Sequence, residues 1–385
     1  MSLSVNPFLN PPKYQQVFDE LRQDIASGKY QPGQKLPSEA ALVRRFGASR
    51  ITVGRAMSDL RREGLIERRA GSGSYVRQVI AKEVASGLSF GLLIPDLGRT
   101  EIFEPICQGM ADAPQAAEHA LLWCNASGSS NEAWEESAKK AWEVCQKYIA
   151  RKVAGVFFAP LETQDPEDRT NERVVSAFDR AGIPVVFLDR DFLPYPHRSR
   201  HDLVGIDNRR TGFAATEHLI RQGSRRVAVL SYPDGPATIH ERLAGYREAL
   251  FMHGLPLDPD LVLRISQEDD GAIHRFLEAR KPDAFMCVHD RAAGRLMHAL
   301  LALGVRVPGD VRIVGIDDIA YASLLPVPLS TMHQPCREIG FAAMSAMIER
   351  IRHPEMPARD ILLECHLVVR KSCGAQAAAK PRAGS

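Results

Sequence analysis

Short apolar runs, each followed by a helical segment, fill the last three-quarters of this 385-residue chain and set the tightest limit on its fold. The runs "FGLLIP", "HALLWC", "AGVFFA", "PVVFLD", "RVAVLS", "AFMCV", "RIVGID" and "LVVR" read as strands. Segments such as "EESAKKAWEVCQKYIARK", "RTGFAATEHLIRQ", "HERLAGYREALFMHG", "DRAAGRLMHALLALG" and "REIGFAAMSAMIERI" read as the helices between them. Strict alternation of this kind demands parallel strands, because a parallel neighbour is reached only through a crossover that a helix fills. About nine or ten strands exceed one comfortable open sheet, so the expectation is an α/β body of two lobes, each a parallel sheet flanked by helices.

Ligands of open α/β sheets collect where the strands end, since the loops there converge on one crevice. After "FGLLI" comes Pro95-Asp96, after "PVVFL" comes Asp189-Arg190-Asp191, after "AFMCV" comes His289-Asp290 and after "RIVGI" comes Asp317-Asp318. The stretch "TIHERLAGYREAL" sets Arg242 early in a helix that follows a strand and loop, and Phe103 lies where an aromatic ring stacks on a sugar face. Carboxylates, an arginine and a histidine at strand exits bond hydroxyl groups in pairs, which suits a polyhydroxylated solute. The candidate ligand contacts are therefore Asp96, Phe103, Asp189, Arg242, His289, Asp290 and Asp317. Asp318 is expected to be a helix N-cap.

The front of the chain follows another pattern. From Pro11 to Arg77 there are 13 Lys and Arg against 7 Asp and Glu, near +6, while residues 78–385 carry 36 against 40, or −4. A basic head on a mildly acidic body points to a polyanionic partner for the head alone. Tyr14, Val17, Phe18, Leu21 and Ile25 recur at helical spacing. Ser38 is a plausible N-cap for a second helix through Phe46, which Gly47 stops, and Ser49 caps a third with the apolar stripe Val53, Ala56, Met57 and Leu60. "LIERR", "AGSGS" and "YV" then read as strand, turn and return strand, completing a winged helix-turn-helix.

This run resembles the GntR family on "GQKLPSEAAL", "FGASRITV", "LRREGLI" and "GSGSYV", over about 65 residues. The resemblance implies DNA contact by Ser38, Ser49, Arg50, Thr52, Arg55, Gly71 and Gly73, with Arg68 and Arg69 as phosphate clamps. Arg50 and Arg55 have the chemistry for phosphate or the O6/N7 edge of guanine, and the wing glycines allow close approach. Arg61 and Arg62 read as solvated surface charges. The chain departs from the family's pattern at Ala40, where a polar or basic residue is frequent, and at Gly54, where arginine is common. Arg55 is a poor substitute, lying about 100° further round the helix.

The body resembles the effector domain of the LacI/GalR family on "GIPVVFLDR", "LVGIDNRRTGFAATEHLIRQGSRRVAVLS", "ERLAGYREAL", "VPGDVRIVGIDDI" and "LVVRKS". That resemblance implies two lobes joined by three chain crossings and a ligand cleft between them, and it carries Arg242, Asp317, Asp189 and the His289-Asp290 pair as effector contacts. The pair is often Asn-Asp in that family, so His289 implies altered ligand chemistry, either a charged sugar or another hydroxyl stereochemistry. A GntR head on a LacI-type body is similar to arabinose-repressor-type regulators.

The organisation expected is a DNA-binding domain over 11–77, a linker over 78–87, a ligand-binding domain over 88–372 and a disordered tail over 373–385. Together these features imply a ligand-responsive transcriptional regulator, the repressor of a carbohydrate-utilisation operon. It is expected to act as a cytoplasmic homodimer on double-stranded operator DNA, with a sugar or sugar derivative as effector and with neither enzymatic activity nor a cofactor. The seven cysteines lack close CxxC pairs and read as reduced, mostly buried thiols. His197, His201, His240 and His333 lack paired metal spacing. One alternative, an aminotransferase-like body with pyridoxal phosphate, needs a Schiff-base lysine, and Lys139, Lys140, Lys147, Lys152, Lys281 and Lys371 have no such context. Another, a solute-binding protein without regulatory function, leaves the basic head unexplained.

Overall fold

The computed structural model describes residues 12–26, 29–31, 33–62, 65–69, 72–76, 87–94, 101–124, 134–162, 168–233, 236–265 and 271–375. Gly71 and Asp96 lie outside these residues, as do most of the expected linker and the last ten residues. The chain divides into two compact units, Met1–Lys82 and Glu83–Ser385.

In the first unit α1 (Lys13–Ala26), α2 (Glu39–Phe46) and α3 (Arg50–Arg62) enclose a core of Val17, Leu21, Leu42, Val53, Ala56 and Leu60. Ser38, in extended backbone, begins α2 by accepting the Ala41 N–H, and Gly47 ends it at φ +56°, a left-handed turn that favours glycine. The antiparallel strands β1 (Ile66–Arg69) and β2 (Gly73–Val76) pair Ile66 with Val76 and Arg69 with Gly73. The segment after Gly33 adds a third extended edge to this wing, with Leu36 N–H bonded to the Ser74 carbonyl and Lys35 bridged to Tyr75.

The second unit begins with β3 (Ser89–Leu93), α4 (Phe103–Asp112), β4 (Ala120–Trp123), α5 (Trp134–Ala150), β5 (Gly155–Phe158), α6 (Thr170–Arg180), β6 (Val185–Leu188) and β7 (Asp202–Ile206). It continues with α7 (Asn208–Arg221), β8 (Val227–Ser231), α8 (Ala237–Met252), β9 (Val262–Arg264), α9 (Gly271–Arg280), β10 (Ala284–Cys287), α10 (Asp290–Ala302), β11 (Arg312–Asp317) and β12 (Ser330–His333). It closes with α11 (Cys336–Arg352), β13 (Asp360–Leu363) and β14 (His366–Val368).

Two six-stranded sheets result, in the orders β13-β7-β6-β5-β3-β4 and β14-β12-β11-β10-β8-β9. All pairings are parallel except β12 with β14. β5 and β6 are buried along their whole length, as continuous apolar runs in a sheet covered on both faces must be. Each sheet accordingly has a core on either side.

The chain passes between the lobes three times, at Asp207, at Gln334-Pro335 and at Glu364-Cys365. After the first passage α7 packs on α8 in the second lobe, and after the second α11 returns to pack on α4 in the first. Both helix pairs are held at backbone contact by glycines. A Cβ at Gly212 would overlap the Arg242 carbonyl oxygen and one at Gly340 the Ile106 carbonyl oxygen.

The domain edge expected at 372 falls short. Cys373 is fully buried, because Ser372 is stitched to the second sheet through bonds to the Ile313 carbonyl and the Ser330 N–H. Overpacking a site of this kind costs about 1–3 kcal/mol. Gly212→Val is therefore expected to destabilise the protein by at least that much, measured as a lowered urea midpoint, while Gly223→Val, whose Cβ meets open space, costs only the strain of its positive φ.

Candidate functional site

In the head, the hydroxyls implicated in DNA contact first serve the helices. Ser49 Oγ accepts the Thr52 N–H at 3.1 Å and lies 2.8 Å from Thr52 Oγ1, so the two residues close the first turn of α3 together. Arg50 is the first residue of that helix and is exposed. Arg55 lays its guanidinium over the Tyr14 ring at 4.1 Å, which draws it toward α1. Arg69 is bonded to Glu67 at 2.8 Å and stacked on Tyr75, while Arg68 on the same strand is exposed. Gly73 sits at φ +122°, and a Cβ there would press on the Lys35 side chain. Lys35 is thus a cation at the wing that the sequence did not single out. Ile51 is another residue that the sequence did not single out: 86% exposed, it is the one large apolar side chain among the head's described residues that stands so far in solvent.

In the body, the strand exits bring four of the expected residues together. Arg242, 5% exposed on α8, donates from Nε to Asn208 Oδ1 at 2.8 Å and from Nη1 to the Val288 carbonyl at 2.5 Å. Its Nη1 also lies 3.5 Å from Asp317 Oδ1. Burial raises the Asp317 pKa to about 6, with Arg242 and the hydrogen bond from Gln334 opposing the shift and Asp189 and Glu101 of the first lobe adding to it. Asp189 (φ +70°) and Asp317 (φ +119°) both hold left-handed backbone at their strand ends. Such conformations persist where surrounding structure over-determines them, and they gather at ligand sites.

His289 caps α10, its Nδ1 accepting the Ala292 N–H at 3.0 Å, and its ring stacks on Tyr232 at 5.2 Å. Burial, with Arg242 and Arg291 nearby, lowers its pKa to about 4. With Nδ1 accepting, His289 is a neutral imidazole that offers an Nε2–H donor.

The other expected contacts are placed differently. Asp290 is fully buried, with Oδ1 accepting from Thr331 at 2.6 Å and Oδ2 from the Ile319 N–H at 3.1 Å, so it braces the second lobe. Burial, reinforced by Asp317, raises its pKa to about 8. Phe103 is 3% exposed within the first lobe's core, which leaves its ring no free face for stacking. Asp318 is no N-cap: it pairs with Arg370 at 2.7 Å and with His333 Nδ1 at 2.9 Å, and Ile319 holds the cap position of the turn that follows.

The comparisons agree with both halves of this architecture. Residues 13–76 match the model of bacterial regulatory proteins of the gntR family, and residues 216–373 match the periplasmic binding protein-like domain. The arabinose metabolism transcriptional repressor of Geobacillus stearothermophilus is 28% identical over 370 residues, 94% of this chain and 97% of the relative. The HTH-type transcriptional repressor PurR of Vibrio vulnificus is 31% identical over 272 residues, 70% of this chain and 76% of the relative. The chain belongs with these transcriptional regulators, as a gntR-family winged-helix head on a periplasmic-binding-protein-like effector domain of LacI/GalR type. The fold of this regulator is shared by the complex of the transcriptional regulator CelR with cellobiose, at a TM-score of 0.63 and 24% identity, covering 94% of this chain and 100% of that one.

The candidate ligand residues are bonded to the chain crossings. Asn208, which holds Arg242, directly follows the first crossing. Gln334, which donates to Asp317 Oδ1 at 2.6 Å, forms part of the second. Neither residue was singled out from sequence, although each sits beside an expected strand exit. Across the cleft mouth Arg291 reaches to 3.8 Å from Glu101 of the first lobe. For the head, loss of an N-cap costs about 1 kcal/mol. Ser49→Ala is expected to reduce stability by that amount in denaturant titrations, and Ser49→Asp, which restores the cap with a negative charge, to recover it while weakening DNA retention.

Proposed function

We propose that the regulator represses a carbohydrate-utilisation operon and that a neutral sugar in the cleft is its effector. The observation that carries this reading is the Arg242–Asp317 pair at the second lobe's strand exits, with Asp189 near it from the first. Arg242 offers N–H donors and Asp317 a carboxylate acceptor, so adjacent hydroxyls of one sugar satisfy both. Asp317 offsets the Arg242 charge, Arg190 pairs with Asp189 at 2.7 Å, Arg291 lies 3.8 Å from Glu101, and His289 is neutral. Among the described residues these three cations each face a carboxylate, which disfavours an anionic uronate. The arabinose repressor from Geobacillus and the cellobiose complex support the same class of ligand.

The candidate DNA contacts are Arg50, Thr52 and Arg68, with Ser38, Ser49, Gly71 and Gly73 setting backbone approach, and with Arg55 and Arg69 reaching phosphate from their aromatic supports. The regulator acts in the cytoplasm as a homodimer, placing two α3 helices about one DNA turn apart, ~34 Å, on a near-palindromic operator. Cleft occupancy favours one lobe arrangement, and the linker carries that preference to the heads. Decisive switching between two such states requires a difference in ligand affinity worth about 5 kcal/mol.

A thermal-shift panel of pentoses, hexoses and disaccharides against uronates tests the ligand class, since a ligand that binds only the folded state raises its melting temperature. Neutral sugars are expected to supply the hit, and stabilisation by uronates alone would overturn the proposal. Arg242→Ala is expected to abolish the sugar-induced shift and to lower stability by about 1–3 kcal/mol, because Asn208 and the Val288 carbonyl lose their buried donor. Arg50→Ala is expected to abolish operator retention with the sugar shift intact.

The ligand affinity also reports on Asp317. Its carboxylate accepts hydroxyl hydrogens on both oxygens, and more strongly, when ionised, so affinity is expected to fall as pH drops through about 6 and to level off above. Titration calorimetry on Asp317→Asn should give weak binding with a flat profile over the same range.

A further inference from the structure

We propose that Ile51 reads a thymine methyl group in the operator, an inference that rests on the head binding DNA. At about 100° per residue along α3, Val53, Ala56, Met57 and Leu60 define the buried stripe. Ile51 lies nearly opposite its centre. It therefore projects straight away from the head's core, from the second residue of the helix that follows the turn. Arg50 stands beside it, Gly54 adds no side chain one turn on, and Ser58 at the next turn is small and exposed. Arg61, the wing's Arg68 and the acidic Glu39 edge the groove lined by Gly54, Ser58 and Ser74, and Arg55 is held on the other flank over Tyr14.

The helix thus presents a single apolar projection in a small-residue strip, with cations along both margins. A charge of about +6 on this segment makes a polyanion the fitting occupant. An isoleucine held 86% exposed gains nothing for the fold. In a major groove its counterpart is the C5-methyl group of thymine, the one apolar group that a base edge presents there. The margins supply phosphate contacts, which hold the helix in register without reading sequence. Gly54 stands where the family pattern has arginine, so an arginine contact is absent at that turn and discrimination shifts toward Ile51 and Arg50.

The test uses the full-length regulator without effector and duplexes it enriches from a randomised pool. Each thymine of the enriched half-site is replaced in turn by deoxyuridine, which lacks only the methyl. The wild type is expected to lose about fourfold in affinity at one position per half-site, the factor for withdrawing one methyl-sized group from an apolar contact. Ile51→Ser should bind the thymine duplex about fourfold more weakly and be indifferent to uracil at that position. Ile51→Val should retain the sensitivity. Unchanged melting of both variants, expected for so exposed a residue, assigns the loss to the contact.

Wild-type indifference to uracil at every position overturns the inference, as does sensitivity in Ile51→Ser equal to that of the wild type. Both leave DNA binding by the head standing. A pool that yields no enriched sequence overturns that broader reading as well.

Discussion

The close approach of Arg242 to Asp317 organises the ligand half of this protein. Arg242 is buried and Asp317 partly so, with 14% of its side chain exposed, and an unpaired guanidinium at such depth costs several kcal/mol. The sequence meets that demand with two further residues. Asn208 accepts from the guanidinium and Gln334 donates to the carboxylate, and each belongs to a stretch of chain at or beside a passage between lobes. On the proposed reading, a solute that bonds the pair also perturbs the two residues beside those passages, so that recognition and lobe arrangement share one set of hydrogen bonds.

The head solves a separate problem, that of presenting charge from a core too small to anchor it deeply. Its arginines divide by their surroundings. Arg45 is pinned by Glu20 and Asp24 and ties α2 to α1, Arg55 and Arg69 rest on aromatic rings, and Arg50 and Arg68 stay exposed. Aromatic support holds a guanidinium in place without neutralising it, so Arg55 remains an available cation where Arg45 does not. The wing gains stiffness from the residues after Gly33, which pair along its edge.

Much of this was legible in the sequence because the physics was local. "AGVFFA" and "PVVFLD" are apolar throughout, and the strands they form are covered on both faces. β7, β9, β12 and β13 were not among the runs read as strands: Asp202 and Gly205 interrupt β7, Ser330 and Thr331 open β12, β9 has three residues, and in β13 exposed and half-buried residues alternate at a sheet edge. In the cleft, Asp189, Arg242 and Asp317 were readable as strand-exit groups. Their partners Asn208 and Gln334 were not, since what distinguishes them is a contact between segments distant in the chain. The same cause hid the fate of Phe103 and Asp290, polar or aromatic residues at suggestive positions that the core claims. The protonation of His289 was beyond reach, because only depth and two neighbouring arginines determine it.

The paired glycines at the α4–α11 and α7–α8 crossings have a mechanical consequence. Backbones in direct contact leave no compliant layer of side chains to slide, so each lobe behaves as one stiff plate. Any opening or shutting of the cleft must be absorbed by the rotatable bonds of five residues, Asp207, Gln334, Pro335, Glu364 and Cys365. The ring of Pro335 removes one of those torsions. So few rotatable bonds restrict how the plates can turn against each other, and the residues that hold Arg242 and Asp317 sit at or beside them.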